Sequence, residues 1–138
     1  MFRNPSDEER RKLLQEIHNI AVVGLSPNEA RPSNRVARAL QRFGYKVIPV
    51  RPLVAEVLGE RAYASLSEVP VKIDLVGVFR APQHIDAIVD ECIRLGIKRL
   101  WIQLGIVNEP AALRAQQAGI TVVMDRCIKI DYTQLMHE

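Results

Sequence analysis

Five short apolar runs punctuate the chain: Ile20 to Gly24, Lys46 to Val50, Ile73 to Phe79, Arg99 to Gln103 and Ile120 to Met124. They are rich in β-branched residues and leave no regular polar face, the pattern of strands covered on both sides in a parallel sheet. Between them apolar residues recur at helical spacing. One set is Val36, Ala37, Leu40 and Phe43, a second is Ile85, Ile88, Val89, Cys92 and Ile93, and a weaker third surrounds Leu113 and Ala118. Near the start, Ser6 and Glu9 have capping-box spacing and precede Leu13, Leu14 and Ile17, which predicts an N-terminal helix within residues 1–18.

The punctuation agrees with this alternation. Gly44, Gly96 and Gly119 stand where a helix must turn through a left-handed residue to enter the next strand. Ser33, Ser65 and Asn108 are N-cap types, and Pro82 and Pro110 suit a first helical turn, where a missing N–H costs little. The expectation is one α/β domain over residues 1–138, a doubly wound and mainly parallel five-stranded sheet with helices on both faces.

Composition narrows the function. A chain of 138 residues has room for one core and no second catalytic domain. With 48% hydrophobic and 25% charged residues and no apolar run near ~18 residues, it reads as a soluble protein without a membrane partner. The N-terminus lacks the apolar core of a secretion signal, so the cytoplasm is the expected location. A net charge of +3, with basic residues dispersed among acids, is small for a nucleic-acid binder and favours a small anionic ligand. Cys92 and Cys127 have neither metal-ligand spacing nor a partner pair, so no zinc site or disulfide framework is expected.

In open parallel sheets ligands bind outside the carboxyl ends of the strands. The first such end runs from Gly24, Leu25 and Ser26 through a polar turn into a helix carrying Ser33 and Arg35 in its first turn, a start that favours phosphate. It lacks G-x-G-x-x-G, for no glycine returns until Gly44. At the second end an NAD site would place a carboxylate for the ribose, and here Arg51 stands between Pro49-Val50 and Pro52. Arginine there suits a ribose carrying its own phosphate, as in NADP or coenzyme A, beside a stiff ledge for an adenine. The third end holds Phe79 and Arg80, the fourth Gln103 and Gly105, and the fifth Asp125, Arg126 and Cys127.

Acid–base catalysis finds no support. His18, His84 and His137 lie where capping or solvent exposure explains them, and no Ser-His-Asp arrangement or working pair of carboxylates is visible. Cys92 falls on the apolar stripe of its helix and reads as packing. Cys127, beside Arg126, is the candidate nucleophile if there is one.

These motifs resemble a known group, the small stand-alone coenzyme A-binding domain proteins of bacteria and archaea, similar to the N-terminal domain of the succinyl-CoA synthetase α-subunit. The likeness rests on V-G-L-S at 23–26, R-P-S-N-R at 31–35, Y-K-V-I-P-V-R-P at 45–52, V-F-R at 78–80, W-I-Q-L-G at 101–105 and V-V-M-D-R-C at 122–127. It implies a Rossmann-like fold holding the nucleotide of coenzyme A or a short acyl-CoA. Gly24, Leu25 and Ser26 would line the first turn, with Ser33 and Arg35 at the phosphates. Pro49, Val50, Arg51 and Pro52 would form the adenine and ribose ledge, and Phe79, Arg80, Gln103 and Gly105 would close the site. Relatives often have a small polar residue at the place of Arg51, and the synthetases use a histidine in a further domain. The resemblance therefore implies a binding module without catalytic residues. The alternatives are an NADP-binding reductase-like protein, acyl transfer through Cys127, and an interaction domain with no ligand.

Overall fold

A computed structural model describes residues 1–136; His137 lies outside the described residues. Helix α1 (Asp7–Glu16) starts at the expected capping box, in which Ser6 accepts from the Glu9 N–H and the Glu9 side chain accepts from the Ser6 N–H. The chain then alternates through β1 (Asn19–Val23), α2 (Pro32–Arg42), β2 (Lys46–Val50), a short antiparallel hairpin of β3 (Glu56–Val57) and β4 (Glu60–Arg61), and β5 (Leu75–Val78). It continues through α3 (Ile85–Leu95), β6 (Arg99–Ile102), α4 (Glu109–Gln117), β7 (Thr121–Met124) and α5 (Ile128–Leu135).

The sheet has the order β2-β1-β5-β6-β7 and every pair in it is parallel. Alternation along each strand divides the core in two. Ala21, Val23, Val76, Val78, Leu100, Ile102, Val122 and Met124 meet α3 and α4 on one face. Ile20, Val22, Leu75, Trp101 and Val123 meet α1, α2 and α5 on the other. Trp101 is fully buried, sits in register with Gly77, and donates its indole N–H to the Arg126 carbonyl at 2.8 Å. The doubly wound architecture is therefore as expected.

Several local expectations need correction. The third strand is shorter than Ile73 to Phe79. Ile93 points to solvent, and the α4 stripe is Ala111, Ala112 and Ala115, with Leu113 half-buried and Ala118 exposed. Small residues there let α4 lie close to the sheet. Ser33 caps nothing: Arg31 is the N-cap of α2, without a side-chain cap bond. Asn108 does cap α4, accepting from the Ala111 N–H at 3.2 Å.

The β3–β4 hairpin and α5 were not expected. Ile128, Tyr132 and Leu135 carry helical spacing, but only tertiary contacts stabilise so short a helix. Its anchor is a buried ion cluster: Asp131 accepts from Arg10 of α1 at 3.0 Å and from both Nε and Nη2 of Arg126 at 2.9 and 2.7 Å. Asp131 is 1% exposed and Arg10 6%.

Candidate functional site

Strand order reverses at β1, whose two neighbours are reached by crossovers running in opposite directions, so the connections that leave the paired ends of β1 and β5 depart to opposite faces of the sheet and leave a crevice between them. A hollow of about 1160 Å³ opens there. Its floor is Val23 and Gly24 after β1 and Val50 at the end of β2. Its walls are the turn and first residues of α2, the Ala64–Leu66 segment, Phe79 to Pro82 after β5, and Leu104 to Ile106 after β6.

Gly24 decides the shape of that floor. It has φ +85°, and a Cβ there would come within 2.5 Å of the Phe79 carbonyl oxygen and 3.0 Å of the Arg80 Cδ. Its N–H continues the ladder to the Val50 carbonyl at 3.0 Å, while Phe79 donates to the Val23 carbonyl at 2.9 Å. Three strand ends are thus held against one another at the one residue without a side chain.

The turn from Ser26 to Arg31 is fixed by its own polar groups. Ser33 Oγ accepts from the Ser26 N–H at 3.0 Å, Ser26 Oγ from the Asn28 N–H at 3.1 Å, and Asn28 Oδ1 from the Ala30 N–H at 2.9 Å. Asn34, nearly fully buried, donates to the Ser26 carbonyl at 2.8 Å. This presents the start of α2, with no side chain capping it, directly to the hollow.

Three arginines line the hollow: Arg31, Arg51 and Arg80. Among the described residues none of them makes an ion pair. Glu91 is the one carboxylate in the lining, and it faces Arg94 at 3.7 Å. A cation at the N-cap of a helix opposes the helix dipole, a repulsion that an anion placed between Arg31 and the start of α2 would relieve.

Of the residues expected from sequence, the structure brings Gly24, Ser26, Ser33, Val50, Arg51, Pro52, Phe79, Arg80 and Gly105 to this hollow. It does not bring Leu25, Arg35, Pro49 or Gln103. Leu25 is fully buried under α2. Arg35 lies one turn into α2, is turned outward, and donates to the Ala30 carbonyl at 2.6 Å. Pro49 is buried within β2, an edge strand, where its missing N–H faces away from β1 and its carbonyl accepts from Tyr63 at 3.0 Å. Gln103 is 3% exposed and its Oε1 accepts from the Ile128 N–H, which caps α5.

Arg31 opens the R-P-S-N-R motif, and the motif alone does not say that it, rather than Arg35, faces the hollow. Asn28 was legible as a turn residue. Ser65 carries an N-cap signal and does begin the short 3-10 turn Leu66–Glu68, but nothing in the sequence places Ala64 to Leu66 at the hollow; they arrive because Tyr63 bridges to Val50, with the Arg51 backbone N–H donating to the Tyr63 carbonyl at 2.8 Å. Asp125, at φ +60°, accepts from the Gly105 N–H at 2.7 Å and so fixes the β6 rim.

The thiols stand apart from the hollow. Cys127 is half-buried at the N-cap of α5 and does not line the hollow, and Arg126 beside it is engaged by Asp131. Hydrogen bonding to Asp131 holds the Arg126 guanidinium above its usual value. Cys92 is fully buried, and burial pushes its thiol up to about 12. No helix among the described residues is long and apolar enough to cross a membrane.

Comparison with known proteins adds a family and relatives. Residues 18–133 match the family described as CoA binding domain. The chain is 41% identical over 129 residues to the uncharacterized protein YneT of Bacillus subtilis, covering 94% of this chain and 96% of YneT. A solved structure of a hypothetical protein from Pyrococcus horikoshii OT3 superposes with a TM-score of 0.93 at 34% identity, covering 99% of each chain. ADP-forming acetate–CoA ligase I of Archaeoglobus fulgidus is 25% identical over 126 residues, covering 84% of this chain. The chain spans 18% of that ligase's length.

Proposed function

We infer where the ligand lies from one premise: the chain belongs to the family of CoA-binding domains. Its cofactor is coenzyme A, and the hollow at the β1–β5 crevice is where that cofactor, free or as a short acyl thioester, binds. The observation that carries this reading is the convergence of Arg31, Arg51 and Arg80, none of them ion-paired among the described residues, on a hollow entered by the uncapped start of α2.

The diphosphate lies against the Ser26–Arg31 turn and the first turn of α2. The Arg31 guanidinium and the Ser33 hydroxyl supply charge-assisted hydrogen bonds there, and the preset turn spends little entropy on binding. Arg51 meets the ribose phosphate, while Val50, Pro52 and Leu66 give the adenine an apolar bed. Arg80 closes the β5 side. Pantetheine runs past Ala81 and Pro82 toward Leu104 and Ile106, leaving the thiol end near the open rim.

The chain acts as a binding module in this reading. Cys127 is not among the residues that line the hollow, and this reading gives it no part in binding. The ligases' reaction belongs to much longer proteins.

Titration calorimetry with coenzyme A, dephospho-coenzyme A and NADP tests the assignment. Coenzyme A binds most tightly, and Arg51→Ala lowers its affinity by about tenfold or more while changing dephospho-coenzyme A by less than about threefold, as expected for loss of one charge-assisted contact. Equal losses for both ligands would remove Arg51 from the ribose phosphate. Tighter binding of NADP than of coenzyme A would overturn the ligand.

A further inference from the structure

Beyond the hollow, α2 carries charge that the bound ligand does not reach. Arg31, Arg35, Arg38 and Arg42 follow one another at intervals of four, three and four residues. At about 100° per residue they fall within about 60° of arc, opposite the buried Val36, Ala37 and Leu40. The row begins at the hollow, which Arg31 lines, and runs away from it along the helix.

Among the described residues none of the four makes an ion pair, and α2 contains no acidic residue. The arginines of the other helices are paired: Arg10 and Arg11 on α1, Arg94 on α3 and Arg114 on α4. Like charges at i, i+4 destabilise a helix, and cations at its start oppose the dipole. The arrangement therefore works against the stability of the free protein, and the carbonyl contacts of Arg35 and Arg38 call for donors but not for a row of four unpaired charges. Arg38 adds a buried, unpartnered Nε.

We propose that the solvent face of α2 is an anion-capture track, which draws the polyanionic ligand to the rim and hands it to Arg31. The inference rests on the reading of the hollow given above. With a rise of 1.5 Å per residue, Arg35, Arg38 and Arg42 stand about 6, 10 and 16 Å from Arg31 along the helix. Arg35 lies within one Debye length of ~8 Å at physiological ionic strength, Arg38 stands a little beyond it, and Arg42 contributes only when salt is low. A field of this kind accelerates encounter without adding a contact in the bound state. A single-stranded nucleic acid fits the row poorly, since Phe43 and Tyr45 beside it are stacked on or edge-packed against Tyr132 and offer no platform for bases.

Arg35 and Arg38 also donate to the Ala30 and Glu29 carbonyls, so charge must be separated from loop support. The experiment is stopped-flow binding of a fluorescent etheno-adenine analogue of coenzyme A across a range of ionic strength. R35K keeps the charge, R35Q removes it, and R42E reverses a charge that makes no hydrogen bond among the described residues. R3E changes net charge equally from the β7 side, the sheet edge opposite β2, where Arg3 borders a second groove.

At low ionic strength R42E lowers the association rate about threefold and R35E/R42E about tenfold, with both converging on the wild type near ~0.5 M salt and the dissociation rate unchanged. R35K matches the wild type, R35Q is slowed, and R3E has less effect than R42E. Unchanged association rates in R35E/R42E, an R3E effect as large as that of R42E, or slowing that persists at high salt would overturn the track. Wild-type protein that fails to bind the analogue at all would instead take down the reading of the hollow, and the track with it.

Discussion

Replacing Gly24 by alanine tests the architecture of the crevice most directly. The residue sits at φ +85°, and the added Cβ would lie 2.5 Å from the Phe79 carbonyl oxygen, about 0.9 Å short of the 3.4 Å at which ordinary contact begins. Two costs follow. A positive φ for alanine costs about 1–2 kcal/mol, and overpacking against a strand end that is itself hydrogen-bonded costs about 1–3 kcal/mol more. The total of about 2–5 kcal/mol is a large share of the roughly 5–15 kcal/mol that holds a domain of this size. Gly105→Ala is the control: its φ is +86°, but nothing lies within 4 Å of the added carbon, so only the conformational cost applies. Urea denaturation of the two variants separates the terms, with Gly24→Ala the less stable by about 1–3 kcal/mol at unchanged denaturant slope. Coenzyme A affinity falls as well, because Phe79 and Arg80 must move away from the floor of the hollow. If the two variants lose the same stability, the close approach of β1 and β5 carries no energetic weight and the account of the crevice fails.

Two further perturbations probe other parts of the fold. Asp131→Asn leaves the buried Arg10 and the neighbouring Arg126 without their shared carboxylate and is expected to cost about 3–5 kcal/mol in chemical denaturation; a loss below about 1 kcal/mol would mean that α1 and α5 are joined by apolar contacts alone. Asp74 accepts from the His18 and Asn19 N–H groups at 2.9 and 2.8 Å. Burial pushes its carboxyl up, but those bonds, with Lys72 and Arg99 nearby, more than offset this and hold it below 3.8. Its contribution is therefore complete above the unfolded value near 4 and is lost as pH falls through the lower folded value. Asp74→Asn should flatten that part of the acid-unfolding curve, and an unchanged curve would refute its role.

Much of the hollow's lining was legible because its chemistry is local. Gly24, Ser26, Arg51 and Arg80 each stand at or just past the end of an apolar run, and in a parallel sheet the residues after the strands share one rim. Where the reading missed, the reason was rotation or long-range pairing. Arg35 and Arg31 differ by one helical turn, and the true start of α2 at Pro32 puts Arg31 at the mouth and Arg35 outside it. Gln103 looked like a rim residue until α5 folded back and took its Oε1.

The order of apolar runs, helical stripes and glycines sufficed to determine a doubly wound sheet, since burial on two faces and the handedness of crossovers leave few other ways to cover such strands. Three things needed the folded chain: the hairpin after β2, the ion cluster that holds α5, and the choice of which guanidinium groups face the crevice. Each depends on groups far apart in sequence meeting at hydrogen-bond distance, where a rotation of one residue reverses the direction of a side chain, and no local pattern encodes that geometry.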